Sequence, residues 1–102
     1  MTFSFHPEAE GEFGRAIDYY EDCKSGFGEA FFLEICDAIR NVVNYPTLWP
    51  QIEDEVHRYL VHRFPYGVLY SMEPDGIFIL AIMPLHRDPD YWKHRLDRNV
   101  YA

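Results

Sequence analysis

The chain has 102 residues, of which 48 % are hydrophobic and 18 % aromatic, enough apolar material for one packed core. This composition excludes a disordered tail, and no apolar run approaches the roughly 20 residues of a membrane-spanning helix. The formal net charge of −8 argues against general nucleic-acid binding. We therefore expect a single domain over residues 1–102, soluble and cytoplasmic.

The charge is divided unevenly along the chain. Residues 1–57 carry three basic and 12 acidic side chains, whereas residues 58–102 carry six and five, so the two parts have net charges of −9 and +1. The two parts therefore face different partners, or one partner on two surfaces. Cys23 and Cys36 lack the spacing of a zinc site, and the sequence predicts neither a metal nor a cofactor.

The first half predicts a strand and two helices. Residues 2–6 alternate as in a strand, Pro7 begins a helix, Gly26 allows a left-handed turn, and Pro46 ends a second helix. Because the connector is short, the two helices form an antiparallel hairpin. Their apolar positions are Ala9, Phe13, Ala16, Ile17 and Tyr20 in the first helix, and Phe32, Ile35, Cys36, Ile39, Val42 and Val43 in the second.

The second half predicts strands over residues 58–64, 68–72 and 77–83, after a loop over 45–55. The run 77–83 is apolar throughout, which suits a strand covered on both faces. An acid and Pro89 begin a short closing helix near residues 88–95. The order is β-α-α-β-β-β-α, and we expect a two-layer α+β fold with the helical hairpin packed on a mainly antiparallel four-stranded sheet.

Several motifs in this order resemble the RelE/ParE toxin superfamily. They are Arg58-x4-Arg63-Phe64-Pro65-Tyr66, Ile79-Leu80-Ala81-Ile82 and Arg87-Asp88-Pro89-x-Tyr91-Trp92-x2-Arg95, together with Phe5-x-Pro7-x-Ala9 and Tyr45-Pro46-x3-Pro50 in the first half. The resemblance spans nearly the whole chain. It implies a RelE/ParE-like fold and the toxin of a type II toxin–antitoxin pair, a class often described as plasmid stabilization proteins that inhibit growth.

The superfamily offers two activities. RelE-like members cut messenger RNA in the ribosome, and ParE-like members inhibit DNA gyrase by binding it. This chain has Pro84 where many relatives have a histidine, and acids at residues 53–55 where RelE-like nucleases have basic residues. A net charge of −8 disfavours approach to ribosomal RNA. We therefore rank gyrase inhibition first, ribosome-dependent mRNA cleavage second, and a non-toxic protein-binding module third.

Candidate site residues lie in the part of the chain that is not acidic. Metal-free RNA cleavage needs a base, an acid and cations around the phosphate; the candidates, if the chain is a nuclease, are Arg63, His86, Arg87 and Tyr91. The candidates for contact with the target are Arg58, Trp92 and Arg95. Trp92 also suits packing of the closing helix on the sheet. Arg58 and Arg63, five residues apart on one predicted strand, would point to opposite faces. For gyrase inhibition we expect residues 87–101 to carry the activity.

The resemblance also implies a cognate antitoxin and a toxin–antitoxin hetero-oligomer. Candidate antitoxin contacts are Phe13, Tyr20 and Phe31. Toxins of the superfamily are usually basic and their antitoxins acidic, whereas residues 1–57 of this chain carry −9. We therefore predict that the antitoxin segment carries Lys or Arg where it crosses the helices, with apolar anchors in a groove between helix and sheet.

Overall fold

The computed structural model describes residues 2–96 and has two helices packed on a five-stranded sheet. Its elements are β1 (Phe3–Phe5), α1 (Pro7–Cys23), α2 (Phe27–Asn44), β2 (Gln51–Glu53), β3 (Val56–Leu60), β4 (Tyr66–Glu73), β5 (Gly76–Pro84) and a 3-10 helix (Lys93–Leu96). The strand order is β1-β5-β4-β3-β2, with β1 parallel to β5 and the other pairs antiparallel. The predicted two-layer α+β fold with a helical hairpin is confirmed. No helix within residues 2–96 combines the length and the apolar character that crossing a membrane requires.

The strand count and the extents of two elements differ from the prediction. A fifth strand, β2, lies within the predicted loop 45–55. Its residues are all exposed, so they show no alternation of apolar and polar residues from which a strand could be predicted. The strand predicted over 58–64 occupies Val56–Leu60, because the chain leaves the sheet after Leu60 and Phe64 turns into the core. The helix predicted near 88–95 is reduced to one 3-10 turn, Lys93–Leu96.

The helical hairpin is held by its turn. Pro7 is the first residue of α1, and the Nδ1 atom of His6 accepts a hydrogen bond from the Glu8 amide. Gly26 has φ of 92°, the left-handed region that favours glycine. The carboxylate of Glu21 accepts hydrogen bonds from the amides of Gly26 and Gly28. At Gly28 a Cβ atom would lie 2.8 Å from the carbonyl oxygen of Ile17, so this position requires glycine.

The buried stripe of α2 is rotated relative to the prediction. Phe31 is fully buried, whereas Phe32 is 43 % exposed, and Cys36 and Val43 are half-buried. The ring of Phe31 packs edge-on against those of Phe64 and Tyr66, with centroids 5.2 and 4.9 Å away. These two partners come from the segment after β3. They therefore select the side of the helix that faces the sheet.

A β-bulge in β5 determines which of its side chains lie on each face of the sheet. Leu69 pairs with Ala81 and Tyr70 with Ile79, so Leu80 is the extra residue. Ile79 and Ile82 consequently pack under the helices. Leu80 and Ala81 both face the opposite side of the sheet, where Trp92 packs against them. The apolar run over 77–83 is thus buried on both faces, as predicted.

Candidate functional site

An ionic cluster joins α1 to the segment after β5. The guanidinium of Arg95 donates two hydrogen bonds to the carboxylate of Glu12, at 2.9 and 3.0 Å. The hydroxyl of Tyr91 donates to the same carboxylate at 2.5 Å. The Arg95 side chain is 4 % exposed and that of Glu12 is 9 % exposed. A bidentate pair this well buried fixes the position of the segment after β5 on the domain.

The backbone of β5 explains why the cluster forms at this place. The strand β1 pairs with β5 only as far as Ile79, so beyond that residue no strand of residues 2–96 covers the same edge of β5. Arg95 donates to the carbonyl of Leu80, and the carboxylate of Glu12 accepts from the amide of Ile82. Two side chains thus satisfy the backbone groups that an edge strand leaves open.

Tyr91 is poorly suited to proton transfer near neutral pH. Its burial, followed by its hydrogen bond to Glu12, raises the pKa of the Tyr91 hydroxyl well above its usual range. The hydroxyl therefore stays protonated and remains a donor to Glu12. A general acid or base needs a pKa near the working pH. In this arrangement Tyr91 holds the C-terminal segment.

Among residues 2–96, the nuclease candidates Arg63 and Arg87 line separate clefts. Arg63 lines a cleft against α2, with Glu29 and Glu34 among its neighbours. Arg87 lines a separate cleft of about 190 Å³ against α1. His86 is exposed and stands next to Arg87 in the turn that follows β5.

The residues predicted to contact a target have different environments. Trp92 is 1 % exposed and donates its indole N–H to the carbonyl of Pro89 at 2.6 Å. Arg95 is buried in the ionic cluster. Arg58 is half-buried, and its stem lies over Gly67, where a Cβ would come within 3.4 Å of it. Trp92 therefore packs the C-terminal segment on the sheet, and neither Trp92 nor Arg95 offers a surface to a partner in this structure.

The residues predicted to contact the antitoxin also differ in their burial. Phe31 is part of the core, and Tyr20 is half-buried beside the rings of Phe31 and Phe64. Phe13 lies at the surface of the hairpin and lines an apolar groove of about 520 Å³ with Phe32 and Phe3. A groove between helix and sheet is therefore present.

Sequence reasoning missed Glu12, although a signal for it exists. Glu12 lies three residues after Ala9 and four before Ala16, both buried, and thus on the apolar side of α1. An acid in that position needs a buried cationic partner. Among residues 2–96 there is no group of three or more His, Cys, Asp or Glu side chains placed to hold a metal ion.

Comparison with known proteins identifies the fold. A solved chain described as the chromosomal ParDE TA system from P. aeruginosa superposes with a TM-score of 0.63, over 83 % of this chain and 96 % of that chain. The fold is RelE/ParE-like. The two sequences are 16 % identical, so the likeness is one of fold. No protein-family model and no curated protein sequence matches the chain.

In the RelE/ParE-like fold of this chain, the C-terminal segment is anchored to α1 by side chains that no local pattern links. Glu12 and Arg95 are 83 residues apart. Within residues 2–96, Arg87 and Phe13 line different clefts.

Proposed function

We propose that the chain is the toxin of a type II toxin–antitoxin system and that it acts by binding a protein, with DNA gyrase as the target. The fold likeness to a ParDE chain supports the class of protein. The observation that carries the mode of action is the contact of the Tyr91 hydroxyl with Glu12. It gives a structural role to one of the two side chains that could transfer a proton in a nuclease, the other being His86.

The arrangement of the cations favours the same conclusion. RNA cleavage needs positive groups that converge on one phosphate. Arg63 and Arg87 line separate clefts, and Arg95 is neutralised by Glu12. A protein target does not require convergent cations, and it carries no penalty for a chain of net charge −8.

The turn after β5 is the surface we propose for the target. Leu85 is 44 % exposed and is followed by the exposed side chains of His86 and Arg87. The guanidinium of Arg87 lies 4.0 Å from the centroid of the Tyr91 ring, a cation–π contact that restricts where this cation points. Arginine is among the residue types enriched at the energetic hot spots of protein interfaces. Residues 97–101, also predicted to take part, lie outside the described residues.

The partners and setting of the protein follow from this role. An antitoxin made from an adjacent reading frame would bind the chain in a hetero-oligomer and block growth inhibition. Both proteins would act in the cytoplasm, where gyrase is found. Loss of the antitoxin would release the toxin, which is the basis of plasmid stabilization by such pairs.

Induced expression tests the proposal. We expect growth arrest, relaxed plasmid DNA or gyrase-trapped DNA breaks, intact messenger RNA, and rescue by the product of an adjacent short reading frame. Messenger RNA cut within ribosomes would instead select the nuclease activity. A stable, folded product without any effect on growth would favour the non-toxic binding module.

A further inference from the structure

The apolar groove is built from aromatic rings of three elements. The rings of Phe13 and Phe32 are stacked, with an interplanar angle of 4° and centroids 5.8 Å apart. Phe5 also stacks on Phe13, with centroids 6.0 Å apart, and Phe3 meets Phe5 edge-on at 5.9 Å. We call these four side chains the aromatic groove. It lies between β1, at one edge of the sheet, and the helical hairpin.

The aromatic groove is accessible. Phe3 is 48 % exposed and Phe32 is 43 % exposed, and the cleft measures about 520 Å³. Contiguous exposed apolar surface of this kind is costly in water, and it marks sites of interaction in soluble proteins. The groove therefore suits an occupant with apolar side chains.

The charge around the groove restricts that occupant. Residues 7–44 contain nine acidic and three basic side chains, a net charge of −6. Glu12 is paired with Arg95, and Asp37 with Arg40, the one cation among the described residues that line the groove. Glu10 and Glu29 lie one helical turn before Phe13 and Phe32, and neither forms an ion pair within residues 2–96. On a helix, residues three apart are neighbours, so Glu10 adjoins Phe13 and Glu29 adjoins Phe32 along the helices, and Glu29 also lines the cleft that contains Arg63.

A second copy of the chain is a poor occupant, because two protomers of charge −8 would meet through acidic helices. We propose that the aromatic groove binds a segment of the antitoxin that places apolar side chains among the rings and Lys or Arg against Glu10 and Glu29. The assignment to the antitoxin rests on the proposed function. The chemistry of the segment rests on the groove and its charges alone.

Selection from a random peptide library displayed on phage, with the full-length chain as bait, tests the chemistry directly. We expect the enriched peptides to combine aromatic or aliphatic residues with a net positive charge. Binding should fall at least tenfold with Phe32→Asp and stay unchanged with Leu48→Asp, a control at an exposed residue outside the groove. Enriched peptides that are acidic or neutral, failure to enrich any peptide, or equal binding to Phe32→Asp would overturn the proposal.

Charge variants keep the test valid if Phe32→Asp folds poorly. For an enriched peptide, the association rate should fall as salt rises from 50 to about 500 mM, because opposite charges steer the encounter. Glu10→Gln with Glu29→Gln should slow association several-fold and flatten this dependence, whereas Glu55→Gln with Asp75→Asn, exposed acids off the helices, should do neither. An association rate that is flat or rises with salt in the unaltered chain contradicts the proposal.

The two proposals fail separately. Basic peptides that bind the groove in a chain without any effect on growth would leave the groove chemistry intact and reject the toxin. Growth arrest relieved by an antitoxin that is acidic throughout its contact with α1 and α2 would keep the toxin and reject this inference.

Discussion

Glu12 and Arg95 form a bidentate ion pair that ties α1 to the end of the described chain, with N–O distances of 2.9 and 3.0 Å. The same two side chains satisfy backbone groups of β5 beyond the reach of β1. The pair thus closes an open sheet edge and fixes the segment that contains Tyr91 and Trp92. Stability and the proposed target surface therefore depend on one contact.

Removal of one partner of this pair should be costly. Glu12→Ala leaves Arg95 charged and buried, and it also leaves the Ile82 amide without its acceptor, so we expect a loss of about 3–5 kcal/mol in the free energy of unfolding. Glu10→Ala, two residues away and exposed, should change it by less than about 0.5 kcal/mol. Urea unfolding of both variants measures the difference. Equal midpoints for the two variants would contradict the structural role of the cluster.

Phe31 and Phe32 provide a matched test of the α2 register. Phe31→Ala should cost about 3–5 kcal/mol, because it empties a fully buried site between aromatic rings. Phe32→Ala, with its ring 43 % exposed, should cost much less. Thermal unfolding of the pair checks this. If Phe32→Ala proves the more damaging change, the helix is rotated as the sequence pattern first indicated.

These two residues show where sequence reasoning reaches its limit. An apolar stripe accommodates either phenylalanine, since neighbours on a helix differ by only about 100°. Phe64 and Tyr66, distant in sequence, make the choice. The local signals at Pro7, Gly26 and Pro46 act within their own turns, so the start of α1, the turn of the hairpin and the end of α2 were predictable from them. The ion pair of Arg95 was not predictable in this way, because its partner Glu12 is 83 residues away.

His6 should make stability depend on pH. Its burial, and then the charge of Arg95, lower the pKa of the imidazole, with smaller effects from Glu8, His94 and Glu12. The unfolded chain takes up a proton near pH 6.5, so the stabilisation is complete above that value and is lost as pH falls through the lowered pKa of the folded state. His6→Asn keeps a cap acceptor and removes the titration.

We therefore expect the His6→Asn chain to lose less stability than the unaltered chain between about pH 7 and pH 5. Denaturant unfolding at several pH values measures this slope. His62→Asn, at an exposed histidine, is the control and should retain the full slope. A slope unchanged by His6→Asn would show that other groups govern the acid sensitivity.

Arginine substitutions distinguish the turn after β5 from the cleft against α2. Arg87→Ala should abolish growth arrest without altering the fold, because it removes the exposed cation held over Tyr91. Arg63→Ala, in the cleft against α2, should leave growth arrest intact. Colony counts after induction, with circular dichroism of the purified variants, give the comparison. Equal loss of toxicity in both variants would favour a shared arginine site of the nuclease kind.

A supercoiling assay with purified DNA gyrase, relaxed plasmid and the purified full-length chain tests the central claim most directly. The account predicts inhibition of supercoiling at near-stoichiometric amounts of the chain, and its loss in the Arg87→Ala variant. Undiminished supercoiling at a large excess of folded chain, alongside cleavage of messenger RNA on purified ribosomes, would contradict it.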